Sequence, residues 1–508
     1  MSRRSGKSTG GCARCENLYI RNEALRREVQ RLRSKLQREQ AYRVAAERRV
    51  KELEERLSIN ATNSSLPPSA NPRHAPKPVA KKPTGRKRGA QIGHKGHGRK
   101  LLESQAVDER IDYRPGLCTH CQASLEHQPS QLAGRHQVAE LPPRAVKITE
   151  HRSFACRCGV CGTINRSLIP DAVRASSIGP RLGAAIGLLG AFMHGSRRAI
   201  GVLVGQVLDC PIALGSVSAR EAELSAALEG PYAQLAGQVS RAKVKYVDET
   251  GWYQKGLERW LFAAISRRAA LFSIETTRTR CSLKNLLRGK PRGLLCTDRA
   301  GIYDLLKLSR RGLCWAHLKR DFVRCQERGG ASEAIGEVGL QVCKQVFRAW
   351  RAFRQKKISR RQLRKRIQPL RKTMRRLLKR GAALGIAKTS GLCRSLLRRE
   401  EALWNWAKVP GLEPTNNLAE RMLRPAVIWR KKSFGSASLT GCHYVERMLS
   451  VIETLRLRGH ATLAYLANAV AAHRQGIPTP AIPPRELKPT LSHTTTPERI
   501  EPNLRKIA

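Results

Sequence analysis

At 508 residues the chain is too long for a single hydrophobic core and is expected to divide into several domains. A formal net charge of +57 would make it repel itself when compact unless a polyanion supplied counter-charge, which points to nucleic acid and to salt-sensitive, largely sequence-independent phosphate contacts. A membrane span is excluded, because the longest apolar run, residues 182–193, is shorter than the roughly 20 residues a bilayer requires and suits a buried helix.

The first eleven residues are polar and basic, without the apolar core of a signal peptide, so a cytoplasmic chain is expected. In that reducing setting the 15 cysteines suit burial or metal ligation better than a disulfide framework. Residues 1–58 carry a heptad pattern. Leu18, Leu25, Leu32, Ala46 and Leu53 share one seam position, Val29, Leu36, Val50 and Leu57 the other, and Asn22, Glu39 and Arg43 break it. Such a pattern predicts a coiled coil and a homo-oligomer; the alternative is one amphipathic helix packed on its own chain. Residues 59–105 form a linker with Pro67, Pro68, Pro72, Pro76, Pro78 and Pro83 and a basic second half, which either tracks a DNA backbone or serves as a tether.

Within residues 106–170, Cys118-x-x-Cys121 and Cys158-x-x-Cys161 make two knuckles that suit tetrahedral Zn²⁺ in a small domain without a large core. Cys156 competes with Cys158 as a ligand. A further pair, Cys12-x-x-Cys15, is either incidental or shares a metal between copies in an oligomer. Residues 171–235 predict short helices with a turn near 209–216, compatible with a helix-turn-helix reader or with ordinary helical packing. From 236 to 342 the period changes to short β-prone runs at Val244 and Tyr246, at 260–265, at 270–274 and at 294–296, a small sheet. Residues 343–404 predict a very basic helical insertion facing DNA. The sheet-bearing region resumes over 405–440, and 441–508 form a C-terminal helical region and tail.

Three acids stand out. Asp248 follows the run Ala242-Lys243-Val244-Lys245-Tyr246-Val247, and Asp298 follows Gly293-Leu294-Leu295-Cys296-Thr297, so each is expected at the carboxyl end of a strand. An isolated acid there usually caps a turn, but two brought together repel unless a cation lies between them. Hard oxygen donors suit Mg²⁺ or Mn²⁺, and a two-ion site clamps the attacking and leaving oxygens of a phosphodiester. Glu420 completes the set from the first turn of a helix capped by Thr415 or Asn416, a position that would equally suit an acid complementing the helix dipole. Arg421, Arg424, Arg430, Lys431 and Lys432 crowd this last motif, and Arg320 and His317 are further candidates. Cations here would position a strand and offset transition-state charge; a His after an apolar strand is otherwise a structural residue.

Val247-Asp248-Glu249-Thr250-Gly251-Trp252, Cys314-Trp315-Ala316-His317, and Asn416-Asn417-Leu418-Ala419-Glu420-Arg421 through Ile428-Trp429-Arg430-Lys431 resemble the insertion-sequence-sixty-six family of transposases. Asn63-Ser64-Ser65-Leu66-Pro67-Pro68-Ser69, Gly93-His94-Lys95-Gly96-His97 and Ser433-Phe434-Gly435-Ser436 extend the likeness along most of the chain, although Leu66 stands where a basic residue is usual. The resemblance implies an α/β fold with a ribonuclease-H-like catalytic core, a mixed sheet with helices, interrupted by a helical insertion and preceded by the coiled coil and a zinc-ribbon-like domain. It assigns the catalytic triad to Asp248, Asp298 and Glu420, with Trp252 and His317 beside it, and a structural zinc to the paired cysteines. It implies metal-dependent cleavage of double-stranded DNA at element ends and strand transfer into target DNA, by a nucleoid-associated bacterial enzyme. A catalytically inactive DNA-binding regulator or relic is the alternative, and a ribonuclease or resolvase of the same fold a third reading.

Overall fold

The computed structural model describes residues 13–60, 63–64, 101–129, 131–141, 145–161, 163–174 and 176–485. The Pro-rich linker from 65 to 100, Cys12 and the tail beyond 485 lie outside them. The strands are β1 (Ala155–Arg157), β2 (Ile164–Arg166), β3 (Val244–Gln254), β4 (Leu257–Ile265), β5 (Ala270–Glu275), β6 (Leu294–Thr297) and β7 (Arg311–Leu313). The helices are α1 (Ala13–Leu57), α2 (Asp171–Arg174), α3 (Pro180–Ala191), α4 (Arg197–Val207), α5 (Leu214–Ala227), α6 (Glu229–Arg241), α7 (Arg280–Leu286), α8 (Trp315–Glu327), α9 (Gly330–Arg354), α10 (Arg360–Ala383), α11 (Ala387–Arg398), α12 (Glu400–Lys408), α13 (Asn417–Ser433), α14 (Leu439–Arg458) and α15 (Thr462–Arg474). The larger sheet is mixed, with strand order β5-β4-β3-β6-β7, so the fold is mixed α/β as expected. Two compact units divide the chain: Met1–Lys77, Ala242–Asp248 and Pro291–Arg421 form the first, and Pro78–Arg241, Glu249–Lys290 and Met422–Ala508 the second.

The first unit is built on parallel pairing. The start of β3 pairs with β6 (Val244↔Leu294, Lys245↔Leu295, Tyr246↔Cys296), and β6 pairs with β7 (Leu295↔Arg311, Cys296↔Gly312, Thr297↔Leu313). Leu294, Leu295, Cys296 and Thr297 are all buried, which explains an apolar run without alternation, since parallel strands are covered on both faces. Gly293 leads into β6 at φ +72°, where an added Cβ would lie 2.6 and 2.7 Å from the carbonyl oxygens of Ala242 and Lys243. Only glycine lets the two backbones approach so closely. The buried Lys245 ammonium donates to the carbonyls of Ala242 and Arg292, each at 2.7 Å, tying both strand starts together, and burial pulls its pKa down to about 8.

Four of this unit's helices, α9 to α12, lie in the chain between α8 and α13. A Ser359/Gln362 capping box starts α10, and no acidic residue occurs within that helix. Trp315 anchors α8 to α12 through its indole N–H to the Leu403 carbonyl at 2.8 Å and an edge-on contact with Trp404. The heptad stretch is helical throughout as α1, with Leu18, Leu25, Leu32 and Leu36 exposed. Its carboxyl end is tied down: Glu55 pairs with Lys388 and, at 3.7 Å, with Arg328, and Asn63 donates to Glu327 at 2.7 Å.

The second unit takes up the chain again at Glu249, after Asp248. β3 continues past Asp248 to Gln254, and the turn falls at Lys255 and Gly256, both at positive φ (49° and 80°), as a two-residue hairpin requires. This corrects the expectation that Asp248 closes its strand. Glu249 is tolerated within the strand because Arg278 pairs with it at 2.5 Å. β4 and β5 are antiparallel, and α14 covers the edge of β5 with a ladder of side chains four residues apart. Glu446, Ser450 and Thr454 accept the N–H groups of Ile274 (2.5 Å), Phe272 (2.9 Å) and Ala270 (2.9 Å), donors that an edge strand otherwise leaves open. The apolar run at 182–193 is the buried helix α3. α4 and α5 pack with it around Ile186, Ile200, Val204 and Val217.

Candidate active site

The last parallel pairs lie just ahead of the first two acids. The register ends at Tyr246↔Cys296 and at Thr297↔Leu313, and carried on past those pairs it would set Asp248 opposite Asp298 and Asp298 opposite Cys314. Alternation sets Asp248 on the face of Tyr246 and Asp298 on the face of Cys296.

That face receives the chain leading to the third acid. The Tyr246 hydroxyl donates to the Gly411 carbonyl (3.0 Å) and accepts from the Glu413 N–H (2.9 Å), and the Trp315 N–H donates to the Pro414 carbonyl (2.8 Å). Asn416 follows. Its side-chain amide donates to the Val247 carbonyl at 2.8 Å, and its backbone N–H donates to the Cys314 thiol at 3.2 Å. The helix thus begins where the sequence predicts, but the Asn416 amide holds the strand next to Asp248. Glu420 stands in the first turn of α13.

Asp298 is oriented by the Ala300 N–H, 2.9 Å from Oδ1, and its carbonyl accepts from the buried Arg311 at 3.0 Å. Burial raises the Glu420 pKa; Arg320 opposes the rise, and the charge on Asp298 adds to it. His317, on α8, responds to the same groups: burial and Arg320 lower its pKa to about 4 while Asp298 opposes them. It is therefore neutral at pH 7. Its Nδ1 lies 3.6 Å from Glu420 Oε1, and the contact is neither a hydrogen bond at that length nor an ion pair with a neutral ring. His317 Nδ1, Glu420 Oε1, Asn416 Oδ1 and Arg320 Nε are all buried without a protein hydrogen-bond partner, which is uncommon in a folded interior and leaves them open to water or an ion. The donor atoms of Cys314, His317 and Glu420 all lie within 4.8 Å of one another.

Cys314 escaped the sequence reading as a candidate, although Cys-x-x-His spacing ahead of a helix could have flagged it. Trp252 is fully buried and donates to the Ser436 hydroxyl at 3.2 Å, a role in the core of the second unit. Arg430 is committed to the Thr250 hydroxyl and the Gly251 carbonyl, at 3.1 and 2.5 Å. Arg421, Arg424, Lys431 and Lys432 are exposed.

The cysteine knuckles form as separate turns of the same design. The Cys118 N–H donates to the Ala123 carbonyl and the Cys158 N–H to the Thr163 carbonyl, each at 2.8 Å. Within each pair the thiols interact, and hydrogen bonding from Thr163 lowers Cys161 to about 7. No three of Cys118, Cys121, Cys156, Cys158 and Cys161 come within 4.8 Å as a set; among the described residues only Cys314, His317 and Glu420 do. No described helix is long and apolar enough to cross a membrane.

Residues 15–100 match a family of unknown function, DUF6444, and residues 202–444 match the Transposase IS66 family. No curated protein matches the chain. The second match runs from α4 into α14 and encloses Asp248, Asp298, Cys314, His317 and Glu420. Over that region the chain belongs to the IS66 family of transposases.

Proposed function

We propose that the chain is a DNA transposase that cleaves the ends of an insertion element and joins them to target DNA with Asp248, Asp298 and Glu420 as its metal-binding catalytic acids. One observation supports this reading: the parallel register just ahead of Asp248 and Asp298, which would align the two acids if carried on, also presents the face to which Tyr246, Trp315 and Asn416 bind the segment preceding Glu420. The orphaned oxygen of Glu420 supports a cation there, and carboxylates suit Mg²⁺ or Mn²⁺. Two such ions would supply Lewis-acid stabilisation of the attacking and leaving oxygens. An antiparallel meander of β5, β4 and β3 extended by the parallel β6 and β7 supports a ribonuclease-H-like core.

The protein's own groups have distinct tasks in this scheme. Arg320 offsets carboxylate charge at the site. The acid-free α10 and the exposed Arg421, Arg424, Lys431 and Lys432 hold the phosphate backbone of double-stranded DNA. The exposed seam of α1 pairs with other copies of the chain, and the knuckles of Cys118, Cys121, Cys158 and Cys161 close on a structural Zn²⁺.

The test is cleavage of element-end DNA by the full chain with Mg²⁺ or Mn²⁺. Asp248→Asn, Asp298→Asn and Glu420→Gln are each expected to lower the cleavage rate on the order of a thousandfold while DNA affinity stays within about twofold. Undiminished cleavage in any of the three removes that residue from the site. DNA binding by the unsubstituted chain without metal-dependent cleavage would leave a regulator.

A further inference from the structure

We propose that Cys314, His317 and Glu420 also form a binding site for a thiophilic transition ion of the Zn²⁺ class, and that an ion held there withdraws Glu420 from the catalytic acids. Binding itself needs only these side chains; its effect on cleavage rests on the role given to Glu420 above.

The chemistry of the donors differs from that of the acids. A thiol, an imidazole and a carboxylate together favour zinc over magnesium, because sulfur and nitrogen are poor ligands for a hard ion. Their spacing also fits. An imidazole nitrogen and a carboxylate oxygen on one tetrahedral zinc, with bonds of roughly 2.0–2.2 Å, lie roughly 3.3–3.5 Å apart, so the pair here needs to close by only about 0.1–0.3 Å. His317 Nδ1 and Glu420 Oε1 are 3.6 Å apart, too far for a hydrogen bond, and the thiol lies within 4.8 Å of both groups. These same two atoms are buried and have no hydrogen-bond partner.

The three donors stand at the starts of two helices. Cys314 is the residue before α8, His317 is in its first turn, and Glu420 is in the first turn of α13. The backbone N–H of Asn416 donates to the Cys314 sulfur and partly offsets the burial that pushes this thiol up to about 11. Binding replaces the S–H bond with a sulfur–metal bond and releases the proton to solvent. Three protein donors leave a fourth position open on a tetrahedral ion.

The experiment counts Zn²⁺ on the full chain by competition with a chromophoric chelator, comparing it with Cys314→Ser and His317→Gln. The knuckle cysteines are the same in all three, so they cancel in the difference. The unsubstituted chain is expected to hold one equivalent more than either variant, and Asp298→Asn, which tests the catalytic reading separately, to keep the full count. Should Cys314→Ser fail to fold by circular dichroism, His317→Gln decides alone. An equal count in the unsubstituted chain and every folded variant overturns the site. With the site confirmed by counting, micromolar Zn²⁺ is expected to slow Mg²⁺-dependent cleavage at least about tenfold, in keeping with competition by the higher-affinity ion. Zinc that binds there without slowing cleavage overturns the withdrawal of Glu420.

Discussion

The acids and the cysteine knuckles are both sets of proposed metal ligands remote in sequence, yet the fold treats them differently. Asp248 and Asp298 each stand two residues past the buried parallel pair Tyr246↔Cys296, and the segment before Glu420 is hydrogen-bonded to the first of those strands. The knuckles are shaped only by their own turns. Around them Tyr113, Leu132, Val138, Phe154, Val160 and Leu168 are exposed, so among the described residues no apolar core draws the two pairs together. Packing holds the surroundings of the first set without any ion, whereas convergence of the second would fall to the zinc proposed for it.

The sharpest way to break the first arrangement is Gly293→Ala. A Cβ 2.6 Å from one backbone carbonyl and 2.7 Å from another, at φ +72°, forces β6 away from β3. The expected cost is about 2–5 kcal/mol, combining left-handed backbone strain with overpacking. Urea unfolding would register it, and metal-dependent cleavage should fall with it because Asp298 loses its alignment with Asp248. A variant as stable and as active as the unsubstituted chain would show that register does not align the acids.

Much of this first arrangement was legible in the sequence. The apolar runs at 260–265, 270–274 and 294–296 became β4, β5 and β6, because continuous burial leaves a continuous apolar signature. β7 was not legible, since Arg311-Gly312-Leu313 has no β-prone character. Arg311 is accommodated in the interior by Asp304 at 2.6 Å, the Thr297 hydroxyl and the Asp298 carbonyl, partners that only the fold supplies. The extension of β3 past Asp248 was hidden in the same way by the Glu249–Arg278 pair. The acids were readable because a carboxylate after an apolar run is visible locally. Cys314 became a candidate only once α13 brought Glu420 to it.

The knuckles should respond to chelation where the acids do not. Removing Zn²⁺ with a strong chelator, or substituting Cys158→Ser, is expected to speed proteolysis within residues 101–170 at least about tenfold, since local opening there is opposed by little burial. Cleavage sites within residues 291–421 should stay protected, and the fragments are identifiable by mass. Equal protection of both segments with and without chelator would mean that the knuckle region is held by packing after all, and the contrast between the two sets would disappear.

The smallest effect is the matching control for Gly293. Gly159 lies inside the second knuckle, between Cys158 and Val160, and an added Cβ there meets no atom within 4 Å. Gly159→Ala should therefore change unfolding free energy by less than about 0.5 kcal/mol, the usual range for a substitution without a packing consequence. The same chemical change, one methyl group on a glycine, is thus severe where two backbones are held in register and nearly silent where a turn faces solvent. If Gly159→Ala proved as costly as Gly293→Ala, the knuckle would have close neighbours in solution, and its geometry could no longer be ascribed to local turns alone.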